Sequence, residues 1–374
     1  MIPIVDLKRQ YKQTGEEIEK AVVDVLRSGA YILGPNTKAL EQEFSQYLGT
    51  KHAIGLNSGT DALHLALRAL DIGKGNEVIT VAFTFVATTE SIEIVGATPV
   101  FVDIDPDTFN MDVTQIEDKI TPRTKAIMPV HLYGQPADMD VIMDIAKRHN
   151  LYVIEDCCQA VGAEYKGKKV GSFGDIGAYS FFPTKNLGGM GDGGMAVTNS
   201  DFLKDRMIAL RNHGGAVRYH HDEIGVNSRL DEIQSAILRV KMNYIDEWNK
   251  MRREVAHRYT ELFKDCEDVI TPKELDDTYC VYHQYTIKVP NRDAVQKMLQ
   301  ENGVGAMLYY PIPLHMQKVH AHLGYKMGDL PKTEYNTQHV MSLPMFAELT
   351  AEEQKEIATK VKEAIAKCKA TASC

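Results

Sequence analysis

Long apolar runs and a leading signal segment are both missing from this sequence. No stretch of its 374 residues approaches the roughly 20 consecutive apolar residues that cross a bilayer. The opening run MIPIVDLKRQ carries an early acid and lacks the apolar core of a secretory signal. These absences predict a protein that works in the cytoplasm without a membrane partner.

An excess of positive charge is missing as well. The 42 lysines and arginines are outnumbered by 51 acidic residues, so the net charge is −9. A general nucleic-acid binder needs clustered lysine and arginine, and no basic helix-turn-helix extension is recognisable. The balance predicts no nucleic-acid partner, although a local site for a phosphorylated small molecule is compatible with it.

The cysteines have no disulfide spacing, and no metal-ligand spacing is present. Cys157 and Cys158 are adjacent, too close for an ordinary bridge, and the other cysteines are scattered at positions 266, 280, 368 and 374. His220 and His221 are also adjacent, and neighbouring histidines rarely point at one ion. Zinc would require further ligands at finger-like spacing. We therefore expect reduced thiols that serve packing, and no metal.

Short apolar segments alternate with helical periodicity through the first half of the chain. Strand-like runs fall at 52–56, 77–81, 99–103, 125–130, 151–155 and 176–179, and helical ones at 16–28, 37–48, 60–70, 86–95, 112–119 and 138–149. Such alternation is typical of an α/β fold, in which helices cover both faces of a mostly parallel sheet.

The second half of the chain has a different order of predicted helices and strands. The pattern predicts one long helix over 228–263, then a strand at 282–289, a helix at 292–302 and a final helix opened by the capping box Thr350 to Glu353. We predict a large domain over 1–250 and a smaller C-terminal α+β domain over 251–374. The N-terminal segment could belong to either domain.

Polar residues collect where the predicted strands end. Ser58, Gly59 and Thr60 follow one strand, Asp156 follows another, and Ser180 closes a third, with Lys185 in the loop beyond it. Ligand sites in parallel sheets gather at this edge. A lysine amine, a strand-end carboxylate and small donors are the parts that pyridoxal 5′-phosphate (PLP) requires for its aldehyde, ring nitrogen and phosphate.

Each of these features alone has an ordinary explanation. A lysine in a polar loop is usually solvated, and the glycine-rich run 188–194 could be a simple turn. That run lacks the GK[ST] ending of a P-loop and the strand–GxGxxG–helix context of a dinucleotide site. Only the occurrence of these features together and in this order points to a PLP site.

Ordered motifs along nearly the whole chain resemble one family. They are VDLKRQY, SGAYILGPN, NSGTDALHLAL, GNEVITVAFTFVAT, the segment 155–194 with its EDxxQ and FFPTKN runs, GVNSRLDEIQSAIL, LYYPIPLHMQ and MSLPMF. This set is similar to the DegT/DnrJ/EryC1/StrS family of sugar aminotransferases, which have the fold of type I PLP enzymes. The resemblance implies that fold, PLP as cofactor and a homodimer with shared sites.

The resemblance also assigns roles around the cofactor. Lys185 would attach PLP as a Schiff base, Asp156 would pair with the ring nitrogen, and Gln159 would lie near the ring. The other implied contacts are phosphate binding at Gly59, Thr60 and Ser180, stacking by Phe85, and a contact from Asn227 to the neighbouring subunit's cofactor. The family usually has two alanines where this chain has Cys157 and Cys158, and we read the thiols as small apolar substitutes.

The substrate is implied less specifically. Lysine rather than histidine at 185 favours transamination over dehydration, with L-glutamate as amino donor. The serine between Asn227 and Arg229 resembles members that aminate C3 of UDP- or dTDP-linked 3-keto sugars, for surface polysaccharide or glycan synthesis. The RYHH run at 218–221, together with YHQYTIKV at 282–289 and YYPIPLHMQ at 309–317, is similar to enzymes acting on UDP-3-keto-N-acetylglucosaminuronate. The candidate sugar contacts are Tyr31, Arg229, Tyr309, Tyr310 and His315.

Alternatives remain at this point. Arg229 could bind a sugar carboxylate or form an intersubunit salt bridge, and the 309–315 segment could simply pack in a proline-rich loop. The enzyme could instead aminate C4 of a UDP-, dTDP- or GDP-linked 4-keto-6-deoxy sugar, or act as a PLP-dependent sugar dehydratase. A further hypothesis is that the chain is a PLP-binding regulator. The lack of a recognisable DNA-binding extension disfavours it.

Overall fold

A computed structural model describes residues 1–215, 217 and 219–372. Its strands are β1 His52–Leu56, β2 Glu77–Val81, β3 Thr98–Val102, β4 Thr124–Ile127, β5 Tyr152–Asp156, β6 Glu164–Tyr165, β7 Lys168–Lys169, β8 Ile176–Ser180, β9 Gly194–Thr198, β10 Thr278–Tyr279, β11 Tyr285–Lys288 and β12 Val340–Leu343. Within these ranges every helix is too short or too polar to cross a bilayer.

The helices surround these strands. They are α1 Leu7–Ser28, α2 Pro35–Leu48, α3 Gly59–Ala69, α4 Ala87–Ile94, α5 Met139–His149, α6 Asp201–Arg211, α7 Glu232–Met242, α8 Ile245–Phe263, α9 Arg292–Glu301, α10 Pro331–His339 and α11 Ala351–Ala372. Short 3-10 helices lie at Val113–Gln115, Glu117–Lys119, Leu132–Gly134, Leu314–Met316 and Lys318–Leu323.

Seven strands form the central sheet in the order β1-β9-β8-β5-β4-β2-β3. The pairs from β8 through β3 are parallel, whereas β9 is antiparallel to both of its neighbours. The predicted α/β class with a mostly parallel sheet is confirmed. The sheet is covered on both sides, because Val153 belongs to the core with α2 and α5 while Ile154 belongs to the core with α3 and α6.

A second core lies in the C-terminal part. It unites Ile2 with apolar residues between Val255 and Cys368, around the two-stranded sheet of β11 and β12. The capping box is present, since Thr350 Oγ1 accepts from Glu353 N and Glu353 Oε2 accepts from Thr350 N. Arg9 of α1 then pairs with Glu353. The N-terminal segment thus packs against the C-terminal part, and the division at residue 250 stays a prediction.

Several predicted elements differ from the observed ones. The long helix over 228–263 is wrong: it begins at Glu232 and is interrupted at Asn243 and Tyr244, where Tyr244 N closes a tight turn onto Lys241 O. No glycine or proline marks this break. Residues 112–119 form two 3-10 turns. The strand β9 and the helix α6 were missed because the glycine-rich run before them reads as loop.

Candidate active site

The carboxyl ends of the central strands open into a cavity of about 450 Å³. It is lined by nine of the residues to which the resemblance gives a cofactor or sugar role: Gly59, Thr60, Phe85, Asp156, Gln159, Ser180, Lys185, Tyr309 and Tyr310. These residues come from segments that are up to roughly 250 positions apart in the chain, and the parallel sheet brings them to one edge. The roles that the resemblance assigns to them stay predictions.

One wall of the cavity is the start of α3. Ser58 Oγ caps the helix by accepting from Asp61 N at 3.0 Å, which leaves the earliest amides, at Gly59 and Thr60, at the cavity wall. Gly59 must lack a side chain, because a Cβ there would lie 2.7 Å from Cys158 Sγ and 2.8 Å from Ser180 Cβ. These two amides at the start of the helix, together with the helix dipole, make this wall suited to an anionic group such as phosphate.

The opposite part of the cavity holds a buried carboxylate. Asp156 is 5% exposed; its Oδ2 accepts from Thr88 Oγ1 at 2.9 Å and its Oδ1 from Cys158 N at 3.1 Å. Among the residues that the structure describes, Asp156 forms no ion pair. Removing a carboxylate from water without a cationic partner is costly. The arrangement therefore fits a cation delivered by a ligand, as the protonated ring nitrogen of PLP would be.

Lys185 lies in the loop that follows β8. The loop is closed by Lys185 N donating to Phe182 O and by Gly189 N donating to Phe181 O, both at 2.8 Å. Burial lowers the pKa of the Lys185 amine, while the negative charge of Asp156 acts in the opposite direction. A lowered pKa increases the fraction of neutral amine, which is the form that condenses with an aldehyde or accepts a proton.

Aromatic and amide groups complete the space between these walls. Gln159 Oε1 accepts from Tyr133 N at 2.7 Å, and its Nε2 donates to Tyr310 Oη at 3.1 Å. Phe85 is 54% exposed, and its ring centroid lies 6.1 Å from that of Tyr310. The cavity thus offers a flat apolar side chain and an oriented amide beside the position where a planar ring would fit.

Some lining residues were given no role from the sequence. Thr84 Oγ1 lies 3.0 Å from Thr88 Oγ1 and extends the chain of hydroxyls that ends on Asp156. The i,i+4 spacing of these threonines within FTFVAT was the available signal. His283, in the YHQYTIKV run, and Asp192, in the glycine-rich run, also line the cavity; both runs belong to the resemblance, but it assigned no role to either residue.

Four predicted residues are not brought to this cavity within one chain. His315 is buried with its Nε2 on Glu334 Oε1 at 3.0 Å, so it packs in the interior. Tyr31 is half exposed and donates to Leu26 O. Asn227 is exposed, and Arg229 lines a separate open cavity of about 800 Å³ with residues of the 212–225 segment. Position 218 of the RYHH run, like Cys374, lies outside the described residues.

A cluster of potential metal ligands lies behind the cavity. Single ligand atoms of His131, Glu155 and Cys157 all lie within 4.8 Å of one another. His131 Nδ1 accepts from Ala137 N, so its other nitrogen carries the proton that faces Glu155. Glu155 already accepts from three backbone amides, those of Gly171, Phe173 and Gly174. The polar atoms of His131 and Glu155 are thus hydrogen-bonded within the protein.

Comparison with known proteins decides the family. The model of the DegT/DnrJ/EryC1/StrS aminotransferase family matches residues 12–362. The chain belongs to this family. It is accordingly a PLP-dependent aminotransferase, and the solved structures that it matches include NtdA of Bacillus subtilis with bound pyridoxamine phosphate, at 35% identity, a TM-score of 0.89 and coverage of 95% of this chain and 82% of that one.

Relatives within the family are similar over nearly their whole length. A pleiotropic regulatory protein of Geobacillus stearothermophilus is 52% identical over 97% of this chain and 98% of its own. The UDP-N-acetyl-3-dehydro-α-D-glucosamine 3-aminotransferase of Acidithiobacillus ferrooxidans is 48% identical, with the same coverage. The UDP-2-acetamido-2-deoxy-3-oxo-D-glucuronate aminotransferase of Pseudomonas aeruginosa is 44% identical over 92% and 95%. DesV of S. venezuelae, solved with a ketimine intermediate, has a TM-score of 0.95 at 40% identity, covering 97% and 98%.

Proposed function

We propose that this chain transfers the amino group of L-glutamate to C3 of a nucleotide-linked 3-keto sugar, with a UDP-linked sugar as the first candidate. The observation that carries the proposal is one cavity in which the Lys185 amine faces a buried Asp156 without an ion pair. Two relatives, 48% and 44% identical, are named for amination of UDP-linked 3-oxo sugars. The products would serve polysaccharide or glycan assembly in the cytoplasm.

The chain's own residues have separate roles in this reaction. When bound, PLP supplies an aldehyde that condenses with amines and a ring that withdraws electrons from the reacting carbon. Lys185 Nζ removes the proton from the α-carbon of the donor and, in the second half, returns a proton to C3 of the sugar. Asp156 keeps a proton on the ring nitrogen, and Thr88 and Cys158 N fix the orientation of its carboxylate.

The site is completed by a second copy of the chain in this proposal. Asn227 and Arg229 lie outside the first cavity, although the resemblance assigns them to cofactor and sugar. The Arg229 Nε is buried and has no hydrogen-bond partner among the described residues. A guanidinium in that state suits an incoming carboxylate or phosphate oxygen. Tyr31 would approach from the same side of the partner.

The test uses the purified full-length holoenzyme and ¹⁵N-labelled L-glutamate. The acceptors are UDP-3-keto-N-acetylglucosamine, the corresponding glucuronate and, as a control, dTDP-4-keto-6-deoxyglucose. We expect ¹⁵N at C3 of a UDP-sugar and formation of 2-oxoglutarate. Lys185→Ala should lose turnover by roughly 10³-fold or more, and borohydride should reduce the cofactor onto residue 185 of the unmodified protein. Amination at C4, or a reduced adduct at another residue, would contradict the proposal.

The name of the 52% identical relative suggests a second, regulatory role. Such a role would need the fold but not proton transfer by Lys185. A strain carrying Lys185→Arg separates the two, because a regulator would keep its effect on gene expression while an enzyme would lose its product. The presence of both Lys185 and Asp156 in one cavity favours the enzyme.

A further inference from the structure

Asn186, the residue after Lys185, is held by three buried partners. Its Nδ2 donates to Asn249 Oδ1 at 2.8 Å and to the backbone oxygen of Val281 at 2.9 Å. Its Oδ1 lies 3.2 Å from Nδ1 of His283. A backbone carbonyl can only accept, so the amide nitrogen must face Val281, and the orientation of the Asn186 side chain follows without ambiguity.

This orientation determines the tautomer of His283. Because Asn186 Oδ1 is an acceptor, His283 Nδ1 must carry the hydrogen that joins them. Burial, followed by the charges of Lys185 and Arg252, lowers the pKa of the imidazole well below its ordinary value. The ring is therefore neutral, and its Nε2 is left as a lone-pair acceptor.

The backbone on both sides of this ring is held by further hydrogen bonds. His283 is 7% exposed, its N donates to Tyr133 O at 2.8 Å, and its carbonyl accepts from Arg252. The ring lines the cavity that contains Lys185. In the described part of the chain His283 Nε2 accepts no hydrogen bond, and Lys185 Nζ donates none. A rigid acceptor without a donor and a flexible donor without an acceptor thus share one cavity.

We propose that His283 is a positioning residue for Lys185: its Nε2 accepts a hydrogen bond from Nζ once the amino donor has displaced the amine from the bound cofactor, and so aims the amine at the reacting carbon. The proposal deepens the proposed function and rests on it. Without such a contact the four-carbon lysine side chain would sample many rotamers between its two proton transfers. The titratable groups that face the pair are Asp156, Cys158, Asp192, Arg252, Tyr309 and Tyr310.

Two substitutions separate this role from simple support of Asn186. In His283→Asn the amide nitrogen takes the place of Nδ1, so the bond to Asn186 is kept and the distal acceptor is lost. In His283→Gln the amide oxygen can take the place of Nε2, so the acceptor is kept and the bond to Asn186 is lost. Asn249→Asp, which changes the support of Asn186 from the side away from His283, reports purely structural damage.

The readout besides turnover is the apparent pKa of the Lys185 amine. The holoenzyme is treated with L-glutamate to free Lys185 and labelled at several pH values with limiting acetic anhydride, and the peptide containing residue 185 is quantified. An acceptor for the ammonium favours the charged form, so His283→Asn should lower that pKa by about one unit and kcat by about ten- to a hundredfold, with KM for glutamate little changed. His283→Gln should keep the pKa and kcat near those of the unsubstituted protein.

Three results would overturn the inference. They are an unchanged labelling profile in His283→Asn, greater loss in His283→Gln than in His283→Asn, and equal losses in both variants and in Asn249→Asp. If L-glutamate fails to free Lys185 in the unsubstituted protein, the proposed function is wrong. The same labelling comparison is then made on protein loaded with pyridoxamine phosphate, in which the amine is free beside a bound cofactor; a shift in the Lys185 pKa there still supports the contact, and its absence refutes it.

Discussion

Glu155 and Asp156 are consecutive in β5, yet their side chains enter regions of opposite character. Glu155 is fully buried and accepts from the amides of Gly171, Phe173 and Gly174, with His131 as a further partner. Asp156, on the other face, accepts from one hydroxyl and one amide and faces the open cavity. The side-chain alternation of a strand separates them. Glu155 is satisfied by the protein, whereas Asp156 is left for a ligand.

Two lysines near the loop after β8 differ in the same way, one satisfied in the interior and one facing the cavity. Lys241 of α7 is 3% exposed, and its Nζ donates to Gly188 O at 2.7 Å. Lys185 lines the cavity and is only half-buried. The interior lysine holds the loop, and the cavity lysine is free to react. A charged group that lacks some of its hydrogen-bond or ion-pair partners within the protein thus indicates function better than burial alone does.

Of the substitutions that test the contrast between Glu155 and Asp156, removal of the Asp156 charge should have the largest effect. Asp156→Asn keeps the shape but removes the charge that retains a proton on the cofactor ring. We expect the amino-transfer rate to fall by about 10²- to 10³-fold, because electrostatic support of the reacting carbon is lost. The free energy of unfolding of the cofactor-free protein should hardly change, since no ion pair is broken. Steady-state kinetics and urea unfolding measure the two quantities.

Glu155→Gln is the matched control on the other face of the sheet. An amide cannot accept from all the donors that surround this carboxylate, so the free energy of unfolding should fall by about 3 kcal/mol. Activity per folded molecule should stay within about threefold of the unsubstituted protein. The contrast fails if Asp156→Asn keeps more than about a tenth of the activity, or if the Glu155 variant is as stable as its parent.

Much of this contrast could be predicted from the sequence, but the contacts between distant segments could not. Asp156 and Lys185 follow apolar strands, and strand ends meet at one edge, so their approach could be predicted. The hydroxyl chain from Thr84 and the contact of His283 with Asn186 depend on segments that are distant in sequence. No local pattern encodes such contacts.

The second half of the chain shows the same limit. The apolar periodicity of α7 continues into α8, so the pattern alone predicted one helix, and only the tight turn at Tyr244 ends it. Asn227 and Arg229 were placed by resemblance and lie outside the cavity in a single chain. Their predicted role requires a second copy, which one sequence does not describe.

A smaller effect sharpens the comparison of the two lysines. Burial lowers the pKa of Lys241 from 10.5 to about 8. Between these values the unfolded chain binds a proton that the folded one has lost, so the free energy of unfolding should rise with pH from about 8 to 10, by about 2 kcal/mol in total. Lys241→Met should remove this rise, as measured by urea unfolding of cofactor-free protein across that range.

Lys185→Met is the control for that experiment. Burial lowers the pKa of Lys185 as well, but the nearby charge of Asp156 favours its ammonium form, so its removal should flatten the pH dependence less than the Lys241 substitution does. An equal flattening by both variants would show that the interior and the cavity do not differ in the way the structure indicates.

The smallest effect concerns the thiol that lines the cavity. Burial raises the pKa of Cys158 well above its ordinary value, so the thiol is neutral and acts as a small apolar group beside Gly59. Cys158→Ala should therefore change kcat and KM by less than about threefold, and should leave the pH dependence of the rate unaltered. Cys157→Ala, in the closed interior, is the matched control and should lower stability while sparing activity. A large loss of activity in Cys158→Ala alone would mean that the thiol takes part in the chemistry of the cavity. Cys157 and Cys158 would then differ as Glu155 and Asp156 do, with one side chain satisfied in the interior and the other reactive in the cavity.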